Sequence, residues 1–220
     1  MRSKFDEQLK ELNDEMIRMG VMIEESIAKA IEALHKKDEE LAKNIMAGDA
    51  EVDRAQKEIE NICFNLLIQQ QPVARDLRTI TAALKMVTDM ERIGDHAADI
   101  SEMTIYMGQN EHPKFFELID RMASETMLML NWSIEAYTEK DSVKAENVIA
   151  HDDIVDNLFT DVKKAIIEMI LEDPKDGEEA ADLLMVAKYF ERIGDHATNI
   201  AEWVLYSLKT SENSFSEEIK

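Results

Sequence analysis

The stretch "LKMVTDMERIGDHAADISE", Leu84 to Glu102, decides how this chain is read. Its apolar residues recur every three or four positions, the spacing of an amphipathic helix. Inside it lies the hexapeptide ERIGDH, Glu91 to His96, which returns letter for letter at Glu191 to His196. From Leu77 the inward stripe reads Leu77, Ile80, Leu84, Val87, then Glu91, Asp95, Asp99 (or Ala98) and Glu102. Read this way, acids take over the register that apolar residues held. The second copy behaves alike, with Leu184, Ala187, Glu191, Asp195, Asn199 and Glu202.

Working outward, three-and-four spacing covers almost the whole chain. It predicts six helices: Lys4–Lys36, Asp38–Gln70, Ala74–Met107, Lys114–Glu139, Asp141–Leu171 and Glu178–Lys209. Only 6 glycines and 3 prolines interrupt them in 220 residues. Asp38 and Asp141 are the N-cap candidates. Gln71-Pro72 and Asp173-Pro174 close the second and fifth helices, since a residue before proline resists helical geometry. Long helices joined by short turns form antiparallel bundles.

The chain is an internal duplication. An offset of 103 carries Asp38 onto Asp141, Asp49 onto Asp152 and Asp53 onto Asp156. Past the second turn of each half the offset falls to 100, and Glu91 lands on Glu191. The expected fold is all-α: two tandem antiparallel three-helix bundles, residues 1–109 and 110–210, with a frayed tail at 211–220. Gly108 to Pro113 is the clearest internal boundary.

Composition narrows the function. The net charge of -22 argues against sequence-independent nucleic-acid binding, which needs Lys and Arg on phosphates. It suits cations and basic partner surfaces. Cys63 is the single cysteine, so no disulfide forms within the chain, in keeping with a reducing cytoplasm. No apolar run reaches the roughly 18 residues of a spanning helix, so direct membrane insertion is not expected.

Residues four apart share a helix face, about 5–6 Å apart at Cβ. The second helix therefore presents Asp49 and Asp53 together, and the fifth Asp152 and Asp156. In an antiparallel hairpin, residues equally far from the turn stand at one height. Asp53 lies about 18 residues before the turn and Glu91 about 18 after it, roughly 27 Å along each helix. Asp49 then faces Asp95. In the second half Asp156 and Glu191 match within one turn. Two like charges at about 4 Å repel by roughly 1 kcal/mol in water and about 4 at an effective dielectric of 20. Protons, interleaved bases or metal ions must relieve such a cluster. Arg92 and Arg192 flank the stripe, leaving metal as the stronger compensation. Oxygen donors suit iron, manganese or magnesium better than a structural zinc site.

Other features have plainer readings. Gly94 and Gly194 stand mid-helix, where glycine costs about 1 kcal/mol, through close packing or simple tolerance. Asp49 follows Gly48 and is either an N-cap at a break or part of a continuous helix; the latter is favoured. His96 and His196 sit one position off the ladder, in a supporting or exposed role rather than as ligands. Met16, Met19, Met22, Met122, Met127 and Met129 fill core gaps.

The segments "QQPVARDLRTI" (Gln70 to Ile80), "ERIGDHAADISE" and "ERIGDHATNIAE" resemble the signature segments of the PhoU family of phosphate-signalling regulators. The resemblance spans nearly the whole chain as two tandem copies. It implies two three-helix bundles and multinuclear clusters of iron or zinc on E/D-x-x-x-D motifs. Carried onto this sequence, those motifs are Asp49, Asp53, Glu91 and Asp95, and Asp152, Asp156, Glu191 and Asp195. Asn199 matches the asparagine that often follows the second acid, whereas Asp99 departs from it. The resemblance further implies a cytoplasmic, non-enzymatic negative regulator of phosphate uptake and starvation signalling. It would link the ATPase subunit of a phosphate ABC transporter to a membrane sensor histidine kinase, and a homodimer is compatible with it.

Three alternatives remain beside it. One is a purely structural acidic adaptor with proton-sharing carboxylates and no metal. Another is a di-iron carboxylate oxidase, for which Glu32 and His35 supply one Glu-x-x-His spacing but Glu135 to Thr138 breaks the second. The last is a histidine phosphotransfer module using His96 or His196.

Overall fold

The computed structural model describes residues 2–70, 72–107 and 113–209. Six helices carry the described residues: α1 Arg2–Lys36, α2 Glu39–Gln70, α3 Ala74–Tyr106, α4 Pro113–Glu139, α5 Ser142–Glu172 and α6 Gly177–Leu208. The expected helices match to within a few residues. The boundary at Gly108–His112 and the tail from Thr210 lie outside the described residues. Helix α2 runs unbroken through Gly48 and Asp49, so Asp49 is not a cap.

The two expected N-caps form. Asp38 Oδ1 accepts from the Leu41 amide at 2.9 Å. Asp141 Oδ1 accepts from Val143 at 2.9 Å and Lys144 at 3.1 Å. Each cap follows a lysine in the left-handed region, Lys37 at φ 53° and Lys140 at φ 59°. The Asp38 amide reaches back to the Ala33 carbonyl at 3.0 Å, and Asp141 to Ala136 at 2.9 Å. This six-to-one bond closes the preceding helix, and glycine is its usual carrier. The duplication thus extends to turn geometry. The α5–α6 link contains one 3₁₀ turn, Pro174–Asp176, opened by Asp173, whose carboxylate accepts the Lys175 amide at 3.0 Å.

The helices form two layers. In the first, α2 packs on α3, α3 on α6 and α6 on α5, giving a row of four. In the second, α1 covers α2 and α3, α4 covers α5 and α6, and α1 meets α4. Helices α1 and α4 run antiparallel, joined by His35 Nε2 to Asp120 Oδ1 at 2.6 Å and by the Asn131 amide on Glu24. Helices α3 and α6 are also antiparallel, with Arg78 Nη1 donating to the Lys209 carbonyl at 2.5 Å. The halves are therefore related by an approximate two-fold axis.

One continuous set of buried side chains runs through both halves. Met16, Met19, Met122 and Met129 are fully enclosed, as expected of gap-filling methionines. Buried hydroxyls return to their own helices: Ser101 donates to the Ala97 carbonyl and Thr104 to that of Ile100, so neither is left unpaired. No helix among the described residues is long and apolar enough to cross a membrane.

Candidate functional site: two carboxylate clusters

The acid stripe leaves the core rather than entering it. Leu77 is 43% exposed, and Glu91, Asp95, Asp99 and Glu102 are half-buried. Asp156, Asp195, Asn199 and Glu202 are exposed. The expectation of an unchanged register was wrong for a geometric reason. A step of four residues turns 400°, so each consecutive four-step rotates the stripe by about 40°. Glu91, Asp95 and Asp99 follow one another by fours and swing out of the interior. The buried line continues instead through Met90, Ile93, Ala97, Ile100 and Thr104, which alternate threes and fours.

The predicted heights nevertheless hold. Burial first, then the charges of Asp95, Asp53 and Asp99, push Asp49 up to about 6. Burial and then Asp95, with Asp53 and Asp49, raise Glu91, against the lowering effect of Arg92. In the second half, burial and then Asp156, Asp195, Asp153 and Glu191 push Asp152 up to about 6. Asp195 is raised by burial and then by Glu191 and Asp156, against the lowering effects of Lys188 and His196. Carboxylates from α2 and α3, and from α5 and α6, thus crowd two equivalent seams. Asp153 joins the second cluster, an acid not anticipated because its counterpart is Ala50.

The glycines explain how the seams close. A Cβ on Gly94 would lie 2.9 Å from Val52 Cγ1 and 3.6 Å from Asp49 Oδ1. A Cβ on Gly194 would lie 3.2 Å from Asp152 Oδ1 and 3.4 Å from Val155 Cγ1. Each glycine lets a carboxylate oxygen approach the facing backbone, so close packing and not tolerance accounts for both.

The fifth members of each ladder face elsewhere. Asp99 Oδ2 pairs with His96 Nδ1 at 3.1 Å, and the Asn199 amide donates to Asp89 Oδ1 at 3.2 Å. His196 Nδ1 meets the same Asp89 oxygen at 2.9 Å. The two hexapeptides meet here, their histidine rings 5.6 Å apart, with Tyr189 5.6 Å from His96. His96 is buried rather than exposed, and burial lowers its pKa while its bond to Asp99 works the other way. Asp89 and Tyr189, equivalent under the offset of 100, went unnoticed in the sequence. The letter-for-letter repetition was the available signal, because two identical faces on antiparallel helices can meet about a two-fold axis.

The flanking bases are not symmetrical either. Arg92 pairs with Asp95 Oδ2 at 3.1 Å and approaches Glu91 at 3.6 Å. The Arg192 charge instead acts on His96 and Tyr189, toward the α3–α6 seam. Lys188, which the sequence reading passed over, pairs with Glu191.

A family model described as the PhoU domain matches residues 16–104 and again 119–204, once in each half. The chain belongs to the PhoU family. The phosphate-specific transport system accessory protein PhoU homolog of Clostridium acetobutylicum is 39% identical over 206 residues, 93% of this chain and 94% of that one. Its Aquifex aeolicus counterpart is 36% identical over 189 residues, 86% of each chain. The crystal structure of PhoU from Pseudomonas aeruginosa superposes with a TM-score of 0.86 at 29% identity, covering 93% of this chain and 98% of that one. The PhoU phosphate transport system regulatory protein of Streptococcus pneumoniae gives 0.85 at 28% identity, covering 92% and 96%. These likenesses extend over both three-helix units of this PhoU-family chain.

The donors fit a hard or borderline cation in chemistry: oxygen atoms of like charge, crowded at one height, with a glycine cradle beside one of them. Among the described residues, no three His, Cys, Asp or Glu side chains already converge as a shared metal shell would. Binding would require the carboxylates to rotate inward. The Glu32 and His35 pair is engaged elsewhere, with Lys36 and with Asp120 and Phe116.

Proposed function

We propose that this chain is an accessory protein of a phosphate-specific transport system and a negative regulator of phosphate uptake and starvation signalling. It acts from the cytoplasm as an adaptor between the transporter's ATPase subunit and a membrane sensor histidine kinase, without catalysing a reaction. The observation that supports this role is the match to such accessory proteins over 93% of the chain. The net charge of -22 suits docking on basic partner surfaces. Deleting the gene should derepress a phosphate-controlled reporter in phosphate-rich medium. A reporter that stays silent overturns the reading.

The clusters are proposed to hold metal, iron or zinc in multinuclear form, with manganese or magnesium as further candidates. Asp49, Asp53, Glu91 and Asp95 would hold the first, with Asp99 at its margin. Asp152, Asp156, Glu191 and Asp195 would hold the second, with Asn199 at its margin. The ion would neutralise converging carboxylates and fix α2 against α3 and α5 against α6. Elemental analysis of protein purified without chelator, beside D95A and D195A, tests this: metal should fall in both variants.

A second reading is favoured by Arg92 and Lys188, which already neutralise part of each cluster. Here the carboxylates share protons and the protein is a metal-free structural adaptor. Native protein without metal, unchanged by added iron or zinc, would establish it.

A further inference from the structure

We propose that Lys188 is a tethered cation of the second cluster, so that metal fills the first cluster ahead of the second. This rests on the metal-binding reading above. Lys188 Nζ pairs with Glu191, whose side chain is only 15% exposed. The ammonium also stands 5.4 Å from the centre of the Phe159 ring on α5. It is held between the helices that contribute the cluster's acids, rather than hanging from one of them. Lys163 approaches the same ring at 4.8 Å, adding a second positive charge beside the α5–α6 seam.

None of this exists in the first half. The counterparts of Lys188, Phe159 and Lys163 are Thr88, Gln56 and Glu60. Thr88 bonds its own helix at the Leu84 carbonyl, and Gln56 bonds Glu60 at 3.3 Å. The first cluster's base, Arg92, is 56% exposed and extends along α3 beside Glu91 and Asp95. It has a solvent path of retreat when a divalent ion arrives. Lys188, at 36% exposed, is the less solvated of the two and is held from two helices, by Glu191 on α6 and the face of Phe159 on α5.

A metal ion entering the second cluster therefore displaces a fixed positive charge, and its affinity there is lower. The duplicated sequence would carry two sites of one architecture and two strengths. The first would be filled at low metal and the second graded with supply.

The experiment is calorimetric titration of Zn(II) into chelator-stripped protein. Wild type, K188Q and K188T are compared, with D95N and D195N assigning each step to a cluster. Glutamine keeps most of the stem and threonine installs the first half's residue, so a fold defect in one leaves the other. Circular dichroism checks both. Wild type should show two steps, the weaker one lost in D195N. Either Lys188 variant should strengthen that step by roughly tenfold, the order expected on removing one positive charge a few ångströms from a divalent ion near the surface, and leave the step lost in D95N unchanged. Two equal steps in wild type, or a weaker step that K188Q and K188T leave in place, overturn the proposal while the metal reading stands. Zinc binding to neither wild type nor variants removes both.

Discussion

The two seams of this molecule are built from the same hexapeptide and differ in what surrounds it. Both hold an aspartate at about 6 beside a mid-helix glycine. At the first, the facing valine is tight against that glycine, and the flanking arginine lies out in solvent. At the second, the valine stands further off, and a lysine paired with Glu191 lies 5.4 Å from the centre of the Phe159 ring. Duplication preserved the backbone path and the level of the acids. Side chains one helical turn away changed the charge balance, which shows that identical motifs need not have equal chemistry.

The comparison breaks most readily at the glycines. Gly94→Val should cost about 3 kcal/mol and Gly194→Val about 2, as branched side chains force the seams apart. Urea melts measure both. Equal losses would mean that the seams are equally tight.

The caps sharpen it next. Asp141→Ala should cost about 1.5 kcal/mol and Asp38→Ala about 1. Asp141 serves two amides where Asp38 serves one. Glu39 and Glu40 already support the first turn of α2, whereas α5 has no acid there. A larger loss at Asp38 would reverse the ranking.

Acid titration compares the clusters directly. Asp49 and Asp152 hold their protons more tightly folded than unfolded, where the carboxyl group titrates near 3.9. Metal-free protein should therefore gain stability as pH falls from about 7 to about 4, and lose it as pH rises through 6. Both side chains are part-exposed, so screening keeps the gain under about 1 kcal/mol at each seam. Thermal melts of Asp49→Asn and Asp152→Asn should each flatten part of that slope, Glu91 and Asp195 carrying the rest. A slope untouched by both would mean that other acids carry it.

The smallest effect concerns the matched turns. Lys37→Gly and Lys140→Gly should each stabilise by about 0.5–1 kcal/mol, by removing a side chain from the left-handed region. Chemical denaturation resolves this, and a loss in either would show that the lysine side chain stabilises its turn.

Much of the fold was legible because periodicity and punctuation are local. Six helices, both aspartate caps and the repeat offset followed from spacing alone. The heights of Asp49 against Asp95 and of Asp156 against Glu191 followed from counting residues back to a turn. What escaped was rotation and contact between halves. Counting by fours kept Glu91, Asp95 and Asp99 on one line, but that line winds around the helix while the core line does not. The meeting of His96 with His196 depends on α3 lying against α6, a long-range packing choice that no single window contains. Lys188 was not legible because Phe159, the partner that draws it over the seam, lies on another helix.

The unbroken interior shared by both halves has a thermal consequence. A protein assembled from two copies would ordinarily be expected to come apart in two stages. Here the two copies share one connected interior, so neither can unfold without baring apolar surface on the other. Scanning calorimetry should record a single heat-absorption peak whose calorimetric and van't Hoff enthalpies agree.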